Sequence, residues 1–124
     1  MNCYCDYDYP TVYRASRRVA RKQYRCEECS RNIKPGEKYE YVFAVWDGSP
    51  GYMKTCGECV SMRQWVKNNV PCLCFSHGST IDDCCQAVIE AKHRAPEETR
   101  GLIFGFWRKL IAIKKAGGHV PRNI

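Results

Sequence analysis

Two Cys-x-x-Cys turns constrain this chain more than any other feature. Cys26-Glu-Glu-Cys29 and Cys56-Gly-Glu-Cys59 are separated by 26 residues. A turn of this spacing lets two thiolates reach one ion, and two such turns complete the tetrahedral four-sulfur set that Zn²⁺ accepts. The interval is longer than the roughly 15–20 residues of a generic paired motif, but it holds a hairpin signal. Lys38 to Trp46 (KYEYVFAVW) is rich in β-branched and aromatic residues and predicts a strand. Asp47-Gly48-Ser49-Pro50-Gly51 predicts a turn longer than the two-residue minimum, with Tyr52 to Lys54 returning. The second Cys pair opens a helix expected from Cys56 to Asn68, with Thr55 as N-cap and Val60, Met62, Trp65 and Val66 facing inward. The N–H groups at a helix start favour thiolate over thiol. Cys26, Cys29, Cys56 and Cys59 are therefore assigned to one structural zinc site. A thioredoxin-type redox role for Cys56-Gly-Glu-Cys59 lacks the surrounding βαβ pattern that such a motif needs.

Disulfides are the other alternative, since the chain has ten cysteines among 124 residues. Met1 to Pro10 (MNCYCDYDYP) carries neither a basic start nor an apolar stretch of signal-peptide length. The expectation is a reducing, cytoplasmic compartment, where clustered cysteines bind metal more often than they staple. The greasiest run, Leu102 to Trp107, is far short of the ~20 residues that span a bilayer. Two Cys-x-Cys pairs flank the central module. Alternate residues of a strand share a face, so Cys3, Cys5, Cys72 and Cys74 form a candidate second four-sulfur zinc site. Buried free thiols, or a mixed site drawing on His77 or Cys84, are the alternatives. Cys84 and Cys85 are adjacent on an expected helix, diverge around it, and are read mostly as core.

The remaining pattern is helical. Ser79 or Thr80 caps a helix to about His93, and Pro96 opens another to about Ala116, with Glu97 and Glu98 in its first turn. Leu102, Ile103, Phe106, Leu110 and Ile113 follow helical spacing. The sequence thus predicts an α+β chain: a small treble-clef or zinc-ribbon-like module (knuckle, β-hairpin, helix; residues 24–68) closed by two C-terminal helices (79–116). Residues 1–116 form one domain, and 117–124 a flexible tail.

Between Arg14 and Arg25 lie six cations and no acid: Arg14, Arg17, Arg18, Arg21, Lys22 and Arg25. If Tyr13 to Tyr24 is helical, their spacing places all six on one broad face, suited to a phosphate backbone, with Tyr13 and Tyr24 available to stack on bases. A solvated surface segment and an acidic protein partner remain the alternatives. The formal charge is +7. Four thiolates on one Zn²⁺ carry a net −2, so one zinc site leaves +5 and two leave +3. The chain is a nearly balanced zinc protein with one basic segment.

No Gly-rich phosphate loop, Ser nucleophile elbow or HExxH motif is present. An HNH-like nuclease needs His in the zinc module, and residues 26–59 contain none; His77 with Asp82 and Asp83 is the one substitute. A four-Cys site leaves no open metal position, so no enzyme and no small-molecule substrate are expected.

Several strings resemble a group of small, functionally uncharacterised zinc-binding proteins of bacteriophages and prophages. They are Cys3-x-Cys5-Asp6-Tyr7, Ala20-Arg21-Lys22 before Cys26, Pro35-Gly36-Glu37-x-Tyr39-Glu40-Tyr41, Trp46-Asp47-Gly48, Lys54-Thr55-Cys56, and Cys72-x-Cys74 with His77-Gly78. The resemblance covers about residues 3–83. It implies zinc binding and a phage or mobile-element origin, favours joining the two Cys-x-Cys pairs, and implies no reaction. The expected function is a non-catalytic binding module that contacts nucleic acid or a nucleic-acid-handling host complex in a bacterial cytoplasm. A stoichiometric inhibitor of a host protein is the alternative, and the apolar last helix offers a surface for such a partner or for a homodimer.

Overall fold

A computed structural model describes residue 5 and residues 9–120. The elements are β1 (Val12–Val19), β2 (Tyr24–Arg25), β3 (Asn32–Ile33), β4 (Lys38–Trp46), β5 (Ser49–Cys56), α1 (Gly57–Asn69), α2 (Thr80–Arg94) and α3 (Leu102–Lys115). An α+β chain with a small antiparallel sheet and three helices is therefore observed. The order β1-β4-β5 makes a three-stranded sheet, and β2-β3 forms a separate two-residue ladder around the knuckle.

The hairpin is tighter than its sequence suggests. β5 begins at Ser49, paired with Trp46, so Asp47-Gly48 is the whole loop. Both residues have positive φ, 49° and 77°, as a type I′ turn requires and as Asp-Gly readily supplies. Pro50 lies inside β5, tolerated because β5 is an edge strand that can spare an N–H.

The helix on which a single cationic face over residues 13–24 depends does not form: Val12–Val19 is β1, and the chain turns before β2. All eight residues of β1 are exposed, and they pair with β4 from Val12↔Val45 to Val19↔Lys38. This strand has no buried face of its own and exists because β4 offers an unpaired edge. A non-local partner overrides the local spacing.

One face of the sheet carries Glu40, Val42 and Ala44 of β4 and packs toward α1. Arg63 of α1 donates to Glu40 at 2.6 Å, with both side chains largely buried, and its guanidinium lies over Phe75 at 5.1 Å. The core runs through Ile33, Met62, Val66, Val88, Phe106, Leu110 and Ile113, together with Cys26, Cys29, Cys56 and Cys59. Burying each of these larger apolar side chains contributes about 1.5–3 kcal/mol. α1 and α3 approach closely because α3 has no side chain at Gly105; a Cβ there would fall within the Trp65 ring.

Two helix boundaries differ from expectation. α1 is capped by Cys56 rather than Thr55, with no side-chain cap. α3 starts at Leu102, so Glu97 and Glu98 lie in the preceding turn, whose mixed bonds (Thr99 N–H to Ala95 O, Leu102 N–H to Thr99 O) lead up to Gly101. At its other end, Gly117 N–H bonds Lys114 O and Gly118 N–H bonds Ile113 O, a Schellman close with Gly117 at φ 99°.

Candidate metal centre and basic aromatic face

β2, the knuckle and β3 form a tight loop in which Cys26 N–H bonds Arg31 O, and Ser30 N–H bonds Cys26 O. Ser30 adopts φ 65° to close it. This places Cys26 and Cys29 beside Cys56, the last residue of β5, and Cys59, in the first turn of α1. The four sulfurs lie within 4.8 Å of one another and are all buried. Cys26 to Cys59 is 3.9 Å, and Cys29 to Cys56 is 3.7 Å. A tetrahedron with Zn–S bonds of about 2.3 Å has edges of about 3.8 Å. The donor set therefore fits a tetrahedral thiophilic ion, and the four residues named from sequence are the four brought together.

The electrostatics agree. Backbone N–H groups of Glu28 and Cys56 donate to Cys26 Sγ at 3.4 and 3.3 Å. The neighbouring Cys29, Cys56 and Cys59 side chains, with the Cys29 backbone, hold Cys26 well below an ordinary thiol pKa against the opposing effect of burial. Cys59 is pushed far up, first by Cys26 and then by the other two sulfurs. Four thiolates cannot share this buried space without a cation. Arg31 adds a positive charge nearby. Its side chain is 5% exposed and bonds Glu37 at 3.2 Å and Glu58 at 2.5 Å. Burial alone would lower its pKa, but Glu37, Cys56 and Glu58 hold it above its usual value.

Further contacts tie the knuckle to both C-terminal helices. The Glu28 carboxylate accepts from Thr80 N–H at 2.7 Å and also from Gly78 N–H. It thereby caps α2, a role that the expected Ser79 side chain does not take. His119 N–H donates to Cys29 O at 2.7 Å, and Gly118 is buried against Cys29. Gly118 and His119, expected within a flexible tail, thus lie against the cysteine tetrad.

The second cysteine group is Cys5, Cys72 and Cys74, whose sulfurs also lie within 4.8 Å. Cys3 lies outside the described residues. Cys5 and Cys74 are joined as a disulfide, with Cα atoms 5.3 Å apart, and Cys72 is disulfide-bonded as well, so in this state the group is oxidised and does not form the four-thiolate site expected of the two Cys-x-Cys pairs. Cys84 and Cys85 belong to neither group. Burial raises both, to about 12 and about 11, as neutral packing thiols. His77 does not join Asp82 and Asp83 in any metal-ligand group of the described residues. Its Nε2 lies 2.8 Å from the Tyr13 hydroxyl, while Asp83 accepts from Ser76 N–H. Burial, then Arg63, pushes His77 below its usual pKa.

The six cations do not share one face. β1 alternates, so Arg14 and Arg18 project to the side of the sheet away from α1, while Arg17 joins a hollow lined by Val60, Gln64, Trp65 and Lys109. Arg21 lines a hollow with Arg18, Tyr24 and Tyr39, Lys22 approaches the Tyr24 ring, and Arg25 is exposed on β2.

The sequence reading missed what surrounds these cations on the open face. Register places Arg14 opposite Phe43, Ser16 opposite Tyr41 and Arg18 opposite Tyr39, with Tyr52 and Lys54 across from Phe43 and Tyr41 on β5. Arg18 lies over the Tyr41 ring at 3.9 Å, and Lys54 is 4.9 Å from the Tyr24 ring centre. Rings follow one another from Tyr24 to Tyr39 (5.4 Å), Tyr41 to Tyr52 (6.1 Å) and Phe43 to Tyr52 (5.2 Å). The period-2 alternation in KYEYVFAVW was the available signal; it needed β1 as a third strand to become a face. No helix among the described residues is long and apolar enough to cross a membrane.

Comparison of the chain with protein-family models, with curated proteins and with solved structures found no match.

Proposed function

We propose that this chain is a non-catalytic, zinc-stabilised module that binds nucleic acid on the open face of its three-stranded sheet. One observation carries the reading: β1, β4 and β5 direct Arg14, Arg18 and Lys54 to the same face, and their outward positions hold no carboxylate among the described residues. A face whose cations meet rings and a hydroxyl but no neutralising carboxylate attracts phosphates and releases their counterions. Zinc at Cys26, Cys29, Cys56 and Cys59 holds β5 and α1 to the knuckle, and so sets the sheet that presents these cations. The resemblance to phage and prophage proteins supports a setting in a bacterial host, where a stoichiometric nucleic-acid binder needs no active site.

Binding to a labelled oligonucleotide should weaken steeply between about 50 and 200 mM salt. Replacing Arg14 or Arg18 with Ala should reduce the salt slope by about 1 each. Absence of binding at the lower salt, or indifference to both substitutions, removes this function.

The second cysteine group supports a companion reading: reduction of the disulfide state of Cys5, Cys72 and Cys74 opens a second zinc site that these three thiols share with Cys3. Metal analysis should then return one zinc per chain with the disulfide intact and two after treatment with a dithiol reductant in the presence of zinc. A count of one in both states eliminates the second site.

A protein partner is favoured by a different observation. Phe104, Trp107 and Ile111 are exposed on α3 at helical spacing, Phe104 at 72%. A stoichiometric partner that survives nuclease treatment and is lost on Trp107→Ala would support a host-protein inhibitor; an unchanged pull-down counts against it.

A further inference from the structure

We infer that the open face of the sheet is a stacking platform for the unpaired bases of single-stranded nucleic acid. This deepens, and rests on, the nucleic-acid reading above, but it stands on the rings and not on the charges. Tyr41 and Phe43 are successive outward residues of β4, about 7 Å apart by strand geometry. Tyr52 closes the gap from β5, 5.2 Å from Phe43 and 6.1 Å from Tyr41. Tyr52 is 57% exposed, Tyr41 and Phe43 are half-buried, and the described residues place no helix over this side.

Three features select bases over an apolar protein partner. Outward aliphatic side chains are confined to one end of the sheet, where Val12, Val45 and Pro50 lie side by side, so the stretch that carries Tyr41, Phe43 and Tyr52 offers π-surfaces more than a greasy patch. The rings tilt against each other at 38° and 44°, so they do not use up their faces by stacking flat on one another. The two β4 rings are also flanked by cations: Arg18 and Lys54 at Tyr41, and Arg14 beside Phe43 in a shared hollow of about 470 Å³, with Lys54 also near Tyr24. Alternating π-surface and cation repeats the base and phosphate alternation of a single strand. A duplex shows such a face only its phosphates, because its bases are already stacked on one another. The ligand is thus defined by free base faces along a phosphate chain, shared by single-stranded DNA and RNA.

The test uses the full zinc-loaded chain and fluorescence anisotropy with three labelled probes of about a dozen nucleotides: single-stranded DNA, RNA of the same sequence, and the DNA duplex. At least one single strand should bind tenfold or more tightly than the duplex. Tyr52→Ala and Phe43→Leu should each weaken the single strand about tenfold while changing duplex affinity less than twofold. Phe43→Leu keeps apolar bulk and removes the π-face, so a retained melting temperature separates lost stacking from lost fold. Arg14→Ala with Arg18→Ala should weaken all three probes. Equal affinity for duplex and single strands, with indifference to Phe43→Leu and Tyr52→Ala, overturns the platform and leaves the charge-led reading standing. No binding of any probe overturns both.

Discussion

Cys26→Ser, or extraction of zinc with a strong chelator, should cost the chain its cooperative fold. A single domain is stable by about 5–15 kcal/mol. A structural Zn²⁺ in a small thiolate site supplies about 10–16 kcal/mol of apparent binding energy, and in such domains that energy is folding energy. The metal's contribution therefore equals or exceeds the whole margin. The geometry gives no fallback, because the tetrad is part of the core and not an appendage. Cys26, Cys29, Cys56 and Cys59 share one cluster with Met62, Val66, Phe106 and Ile113. Without the ion, four sulfurs within 4.8 Å of one another leave either buried negative charge or thiols that must move apart, and the knuckle, β5 and α1 move with them. The expected result is loss of the thermal transition in circular dichroism, together with loss of stoichiometric zinc. Cys84→Ala is the control: it removes an equally buried sulfur outside the tetrad and should keep both. A Cys26→Ser protein with unshifted melting and full zinc content would refute the assignment.

The tetrad was legible in the sequence because ligand chemistry fixes it locally: a Cys-x-x-Cys turn can do little else in this context. β4 was equally legible, since its β-branched and aromatic run spans nine residues with no competing period. The features that failed to show are those set by distant partners. Arg14, Arg17 and Arg18 have spacings that suit either a helix or a strand, and only the free edge of β4 decides between them. Ser49-Pro50-Gly51 looks like more of the turn, yet it pairs as strand because β5 is an edge. The same non-local choice moved the candidate binding face. A helix would have gathered six cations; the strand divides them, retains Arg14 and Arg18, and adds Lys54 from 36 residues beyond Arg18. Tyr41, Phe43 and Tyr52 were present as core or strand formers, and they became surface rings only when the helices packed on the opposite side. Glu28 was invisible for a related reason. It occupies a non-ligand position between the two knuckle cysteines, and its capping of α2 depends on where residues 78–80 arrive.

Gly118→Ala should damage the zinc site from outside its ligand set. A Cβ at Gly118 would lie 2.7 Å from Cys29 Cβ, 2.7 Å from Cys29 Sγ and 2.7 Å from Ile113 Cγ2, closer than packed atoms tolerate. The three neighbours cannot yield together. Cys29 is fully buried within the sulfur tetrad, and Ile113 is fully buried on α3. Gly118 is itself fixed by its N–H bond to Ile113 O and by the His119 N–H bond to Cys29 O. The added methyl must therefore lift residues 117–120 away or displace the sulfur, and overpacking of this kind costs about 1–3 kcal/mol. Displacement of the sulfur should also appear in metal affinity, as weaker retention of zinc against a competing chromophoric chelator. Gly117→Ala provides the comparison. Its Cβ meets nothing, but φ at 99° strains any other residue, so it should lower the melting temperature with little change in zinc affinity. If Gly118→Ala behaves like Gly117→Ala in the chelator titration, the C-terminal segment does not buttress Cys29. If Gly118→Ala alone loosens zinc, the chain from Gly118 to Val120 is the lid that completes the metal centre.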